Sequence, residues 1–233
     1  MRLKISLSPR QIISYLAVAV AFFILVSVVI QICKYGYDYR ADWMKLFNVD
    51  RELNFPTWYS ALTIAFCSLL LRIIANGKKQ QGDRYTKDWQ LLSLIFLWLA
   101  IDEVLSIHEI LIIPEVSEAL NLPWFLHSMW VIPGTIFVIW FIKRYSRFVR
   151  HLPYISRKHF FSAAACYIGG ALIMEMIGSY IAEARGQQNL VYALIATAEE
   201  AMEMIGIIIF IYGLLFYLRQ WNDKINLEIT IAK

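Results

Sequence analysis

Long apolar runs dominate the pattern of the chain, and short polar segments separate them. A helix that crosses a bilayer needs about 20 mostly apolar residues. Six runs meet or approach this length, and their approximate bounds are 11–33, 56–75, 89–108, 124–142, 160–181 and 190–217. The pattern therefore predicts an all-α fold, a six-helix transmembrane bundle that forms a single integral membrane domain over residues 1–233.

Composition supports a membrane protein and excludes other classes. Hydrophobic residues make up 59% of the chain and charged residues 17%, with a mean hydropathy of +0.54. A soluble domain is typically about 45–50% apolar and about 25% charged, and a disordered chain is less apolar still. Three cysteines without a CxxC spacing exclude a disulfide scaffold and that type of zinc site. The net charge of +4 is explained by basic loops, so no nucleic-acid partner is expected.

The distribution of basic residues predicts the orientation. With the N-terminus in the cytoplasm, the inner segments hold 17 of the 22 lysines and arginines, and the outer segments hold five. Basic residues favour cytoplasmic loops, so both termini are predicted to be cytoplasmic. We expect a multi-pass protein of the bacterial inner (plasma) membrane, with the lipid bilayer as its surroundings. A homo-oligomer and a membrane partner subunit both stay open.

Ionisable residues inside the predicted spans are the main anomaly. A charge at the bilayer centre costs at least about 2.5–3.5 kcal/mol, so such residues usually face the bundle interior and pair. No lysine or arginine lies at the same depth here, which leaves a proton, a bound cation or histidine as the partner. The ionisable residues are Asp102, Glu103, His108, Glu109, His127, Glu175, Glu199, Glu200 and Glu203.

Depth and spacing predict that many of these side chains converge. At about 1.5 Å per helical residue, four spans carry acids or histidines in the outer half of the bilayer. Asp102 and Glu109 are seven residues apart, and Glu199 and Glu203 are four apart, so each pair shares a helix face. The sequence Met-Glu-Met-Ile-Gly occurs at 174–178 and again at 202–206, which predicts that spans five and six pack at these glycines.

Carboxylates and imidazoles are ligands of hard and borderline divalent cations. The predicted ligands of a divalent metal ion, whose identity stays open, are Asp102, Glu109, His127, Glu175, Glu199 and Glu203. His108 or Glu103 is the predicted catalytic proton-transfer group, because a metal-bound water needs a base nearby. This set favours a metal-dependent membrane enzyme that acts on a lipid-like or extracytoplasmic substrate. A proton- or cation-coupled transporter and a structural or assembly subunit are the alternatives, so whether the protein is an enzyme stays open.

Two motifs carry a resemblance. The run from Ile101 to Glu109 contains DE-x4-HE, and the run from Glu199 to Gly206 contains EE-x2-E. Together with the stretch from Asp50 to Trp58, they resemble an uncharacterised family of six-span bacterial membrane proteins. The resemblance covers nearly the whole chain and implies the six-span fold without implying an activity.

Overall fold

The computed structural model describes residues 8–111, 120 and 122–221, and this part of the chain is helical with no β-strand. The terminal segments, whose cytoplasmic placement the sequence predicts, lie outside the described residues. Six long helices follow one another. They are α1 (Pro9–Gly36), α2 (Phe55–Gln80), α3 (Thr86–Leu105), α4 (Val131–His151), α5 (Tyr154–Arg185) and α6 (Leu190–Trp221).

Four of these helices, α1, α2, α5 and α6, are long and apolar enough to cross a membrane. The chain is therefore compatible with a multi-pass membrane protein. The other two helices carry charges along their length, with Asp102 and Glu103 on α3 and Lys143 and Arg144 on α4. Passage of α3 and α4 through the bilayer stays a prediction.

Two predicted spans have different bounds in the structure. The third was expected to run to His108, but α3 ends at Leu105 because Ser106 adopts a left-handed backbone, with φ of 47° and ψ of 42°. The fourth was expected to begin at Trp124, but Trp124–Leu126 is a short 3₁₀-helix and α4 begins at Val131. Proline fits without penalty only in the first turn of a helix, and this start places Pro133 there.

The fifth span is not regular. Residues Gly169–Met174 form a π-helical turn between two α-helical parts, Tyr154–Ile168 and Glu175–Arg185. The sequence pattern predicts an unbroken helix here and gives no sign of this turn. Isolated π-helical turns occur frequently at functional sites, and this one ends directly before Glu175.

The main helix contacts are α2 against α3 and α5 against α6, which are neighbours in sequence, and α1 against α6, which are the first and last helices. Aromatic side chains fill the core at one end. The Trp89 ring lies 4.8 Å from the Phe148 ring and 5.1 Å from the Tyr217 ring, measured between centroids. Since helices in lipid gain little from the hydrophobic effect, such close packing is what holds the bundle together.

The segment between α1 and α2 folds back onto α1 through buried polar groups. Gln31 donates to the Asn48 side chain at 2.7 Å, and Asn54 donates to the Asn48 carbonyl at 2.6 Å. Ser27 accepts from the backbone N–H of Val49 at 3.3 Å. These bonds hold residues 48–54 at the end of the bundle where α3 ends and α6 begins.

The fifth helix begins at Tyr154, earlier than the predicted span. His159 therefore lies within α5, where its ring packs against Tyr212 and Phe216 of α6. His151 is exposed at the end of α4 and contacts the ring of Tyr85.

Candidate functional site

The end of α3 forms an aspartate–histidine pair. The left-handed Ser106 turns the chain back, so that the His108 ring returns to the helix it has just left. His108 Nδ1 lies 2.8 Å from Asp102 Oδ2, and the His108 backbone N–H donates to Asp102 Oδ1 at 3.1 Å. Both oxygens of Asp102 therefore orient His108, and the Nε2 atom is the ring nitrogen available for other chemistry. The sequence pattern, which continues the third span to His108, gives no sign of this turn.

Two further acids meet across the packing of α5 and α6. The carboxyl groups of Glu175 and Glu199 are close enough for their charges to act on each other. Two neighbouring carboxyl groups in a sheltered place favour a proton or a cation between them. The π-helical turn provides the close approach, since a Cβ atom on Gly170 would lie 2.8 Å from the Glu199 carbonyl oxygen and 3.0 Å from Glu203 Cγ.

Glu203 lies at the centre of the acids. It follows Glu199 by one helical turn, so both side chains leave α6 on the same face. The Tyr167 hydroxyl of α5 lies within hydrogen-bonding reach of its carboxyl group, and Glu103 and His108 at the end of α3 are close enough for their charges to act on it. Glu203 thus connects the Asp102–His108 pair with the Glu175–Glu199 pair.

The segment before α2 adds one more acid. Glu52 is half-buried beside the end of α3, with the Ser106 hydroxyl within hydrogen-bonding reach. Burial raises the pKa of the Glu52 carboxyl above its usual value, and the charge of Glu109 raises this pKa further. The Ser106 hydroxyl opposes the rise. Glu52 therefore releases its proton less readily than an exposed glutamate does.

Charge is not balanced in this acidic cleft, which we define by Glu52, Asp102, Glu103, His108, Glu175, Glu199, Glu200 and Glu203. In the part of the chain that the structure describes, no lysine or arginine forms an ion pair with these acids, and His108 is the basic partner of Asp102. Each of these residues is half-buried.

The structure brings together most of the predicted site residues but not all of them. Asp102, Glu103, His108, Glu175, Glu199 and Glu203 share the cleft, and Glu109 lies exposed at its edge near Glu52. His127 precedes α4, and its Nε2 atom lies 3.0 Å from the Leu122 carbonyl oxygen, with no acid in contact among the described residues. Residues 8–111, 120 and 122–221 contain no group of three histidine, cysteine or acidic side chains arranged to hold a metal ion.

Two residues of the cleft, Glu200 and Glu52, and the neighbouring Tyr167 were not in the predicted site. Glu200 lies about 100° around α6 from Glu199, yet its charge and those of Glu103 and Glu203 act on one another. Tyr167 gives no signal in an apolar span. Glu52 could have been found, since it lies within the Asp50–Trp58 stretch that carries part of the family resemblance.

A comparison with protein families finds one match, to a domain of unknown function, DUF8692, over residues 15–218. The chain belongs to the DUF8692 family. The match includes all six helices for most of their length and every acid of the cleft, which agrees with the expectation of an uncharacterised family. No curated protein and no solved structure matches this DUF8692 chain.

Proposed function

We propose that the chain is a metal-dependent membrane enzyme whose acidic cleft opens toward the extracytoplasmic side. The observation that supports the proposal is the convergence of uncompensated carboxylates from α3, α5 and α6 beside the oriented His108 ring. Carboxylates are the ligands that hard divalent cations prefer, and no lysine or arginine of the described residues forms an ion pair with this set.

The roles follow from the geometry. Glu175, Glu199 and Glu203 are the proposed core of the metal site, because their charges act on one another and no lysine or arginine of the described residues pairs with them. A bound metal would have to draw these three carboxyl groups together, since the described residues contain no preformed group of three ligands. His108 is the proposed proton-transfer group, because Asp102 fixes the ring and leaves Nε2 available. Glu103 is the second candidate for that role. Asp102, Glu109 and His127 stay as candidates for the outer part of the ligand set.

A bound metal would lower the pKa of a coordinated water and polarise the bond to be cleaved. The residues of this chain would bind the metal, move the proton at His108 Nε2 and hold the substrate at the mouth of the cleft. A lipid-like or extracytoplasmic substrate fits a site that opens in the outer half of the bilayer. The Trp124 and Tyr180 rings, 5.1 Å apart and partly exposed, form an apolar surface beside α5 for such a substrate.

Elemental analysis of the purified full-length protein tests the proposal. The wild-type protein and the Glu183→Gln control, which removes an exposed acid of the same helix as Glu175, are expected to retain metal. Glu175→Gln and Glu203→Gln are expected to lose it. Chelation should lower the thermal unfolding midpoint of the first two proteins only. A metal-free wild-type protein whose midpoint does not respond to chelation would contradict the proposal.

The contact between Glu175 and Glu199 favours a second candidate function, a proton- or cation-coupled transporter. A carboxyl pair that shares one proton can take it up and release it, and acids inside spans are typical of proton pathways in transporters. In proteoliposomes, this function predicts a flux that depends on the pH gradient and is lost with Glu203→Gln. Metal-free protein that supports such a flux would favour the transporter over the enzyme.

A further inference from the structure

Basic side chains converge at the end of the bundle opposite the acidic cleft. The turn between α2 and α3 and the second half of α4 enclose an open groove of about 860 Å³. Its wall combines five basic side chains with one carboxylate, that of Asp88. The basic residues are Arg84, Lys143, Arg144, Arg147 and Arg150.

The single carboxylate is already engaged. Asp88 is buried in the first turn of α3 and pairs with Arg144, whose neighbour Tyr145 donates its hydroxyl to the Asp88 backbone carbonyl at 3.2 Å. Lys143 and Arg147 form no ion pair with any carboxylate of the described residues. Among the described residues, the groove therefore keeps a strong excess of positive charge.

The floor of the groove is rigid. Tyr85 and Phe148 line it, and their rings lie 5.7 Å apart in an edge-to-face contact that continues to Trp89 in the core. The Arg84 guanidinium lies over the Tyr85 ring, 4.8 Å from its centroid. Orientation in a membrane explains why basic residues occur at this end, but it does not require two separate segments to aim them into one concave site.

We propose that this groove binds the phosphate of an anionic phospholipid headgroup. Guanidinium and ammonium groups are the usual phosphate ligands, and several of them converge here without a counter-charge. The lipid is favoured over a free solute because α4 continues from the groove into an exposed apolar surface that includes Ile139, Trp140 and Ile142. A lipid with its headgroup in the groove would lay its acyl chains along that surface.

Native mass spectrometry of the full-length protein in nonionic detergent tests the site, with dioleoylphosphatidylglycerol as the probe and dioleoylphosphatidylcholine as the neutral comparison. The groove variant is Lys143→Gln with Arg147→Gln. The control, Lys87→Gln with Lys158→Gln, removes the same charge from exposed positions outside the groove. We expect the groove variant to bind the anionic lipid roughly thirtyfold more weakly and the control to bind it like the wild type.

If both double variants lose the same amount of lipid binding, bulk charge alone attracts the lipid, and the proposal is overturned. The proposal is also overturned if neither double variant loses lipid binding. Charge-preserving Lys143→Arg with Arg147→Lys should retain binding, and unchanged unfolding midpoints should show that all variants fold. Addition of inorganic phosphate distinguishes the two sources of the phosphate group. If the lipid stays bound when inorganic phosphate is added, the groove recognises a lipid headgroup. If inorganic phosphate displaces the lipid, the groove still recognises phosphate, but its ligand is a free phosphorylated solute.

Discussion

Glu203 lies where α6 faces both α5 and the end of α3, so its carboxyl group interacts with Tyr167, Glu103 and His108. Its spacing from Glu199 and its place in a repeated pentapeptide indicate that it faces a neighbouring helix, and its carboxyl group does lie beside Tyr167 of α5. The same reasoning excluded Glu200, because a helical angle describes one helix and does not show that α6 has neighbours on two sides. Partners such as Tyr167 and Glu52 are set by packing and cannot be read from spacing.

Replacing Glu52 with glutamine is expected to stabilise the folded protein at neutral pH and to leave it unchanged at about pH 4. Because burial raises the pKa of Glu52, the folded state keeps this proton to a higher pH than the unfolded state does. The wild-type protein therefore loses stability as the pH rises from about 4.5, the ordinary pKa of a glutamate, through the raised pKa of Glu52. The loss persists at every pH above that raised pKa. Thermal unfolding midpoints across this range measure the effect.

The comparison for this experiment is Glu183→Gln, which removes an exposed carboxyl group far from Ser106. Its unfolding midpoint should follow the wild type at every pH. If Glu52→Gln and the wild-type protein show the same dependence on pH, then Glu52 does not lie in the buried environment that the structure gives it.

The two copies of Met-Glu-Met-Ile-Gly show that identical short sequences can have different structural roles. A Cβ atom on Gly206 would lie 2.8 Å from the Tyr167 backbone nitrogen and 3.1 Å from the Ala163 carbonyl oxygen, whereas a Cβ atom on Gly178 would have its nearest neighbour at 3.8 Å. Both glycines therefore face the partner helix, since the neighbours of Gly178 are Tyr192 and Ile195 of α6, but only Gly206 lies at a close approach of the two backbones. The close approach near Glu175 comes from the π-helical turn.

Gly206→Ala is expected to lower the free energy of unfolding by about 1–3 kcal/mol, because the methyl group must displace the backbone of α5. Gly178→Ala is the matched control. Its methyl group meets only ordinary contacts, and alanine is a better helix former than glycine, so this variant should be unchanged or more stable by about 0.5–1 kcal/mol. Denaturant unfolding in detergent measures both. Equal effects at the two positions would contradict the packing described here.

Helix existence was predictable, but several helix ends were not. All six predicted apolar runs correspond to helices, since a long apolar segment has few alternatives to helical hydrogen bonding in lipid. The end of α3 depends on the left-handed Ser106, whose conformation is maintained by the hydrogen bonds between His108 and Asp102. Such a turn has no signature in hydropathy, so the predicted site placed Glu109 and Asp102 on one continuous helix face.

Acidic and basic side chains of the described residues are concentrated at opposite ends of the helix bundle. The acids of the cleft lie where α3 ends and α6 begins, whereas Arg84, Lys143 and Arg147 lie at the opposite end, beside the Trp89 core. Basic residues favour the cytoplasmic side, so this arrangement predicts a cleft on the outer side and a basic groove on the inner side. The two candidate sites would then act on different sides of the same membrane.

This orientation predicts which introduced cysteines a membrane-impermeant maleimide can reach in intact spheroplasts. In a variant lacking Cys33, Cys67 and Cys166, Asp38→Cys and Glu183→Cys should react, whereas Lys87→Cys and Tyr154→Cys should react only after the membrane is permeabilised. Leu120→Cys decides whether α3 and α4 cross, because this position lies outside only if both do. Labelling at position 120 with no labelling at 87 and 154 requires six spans. If 87 and 154 react in intact cells and 38 does not, the orientation is reversed and the acidic cleft faces the cytoplasm.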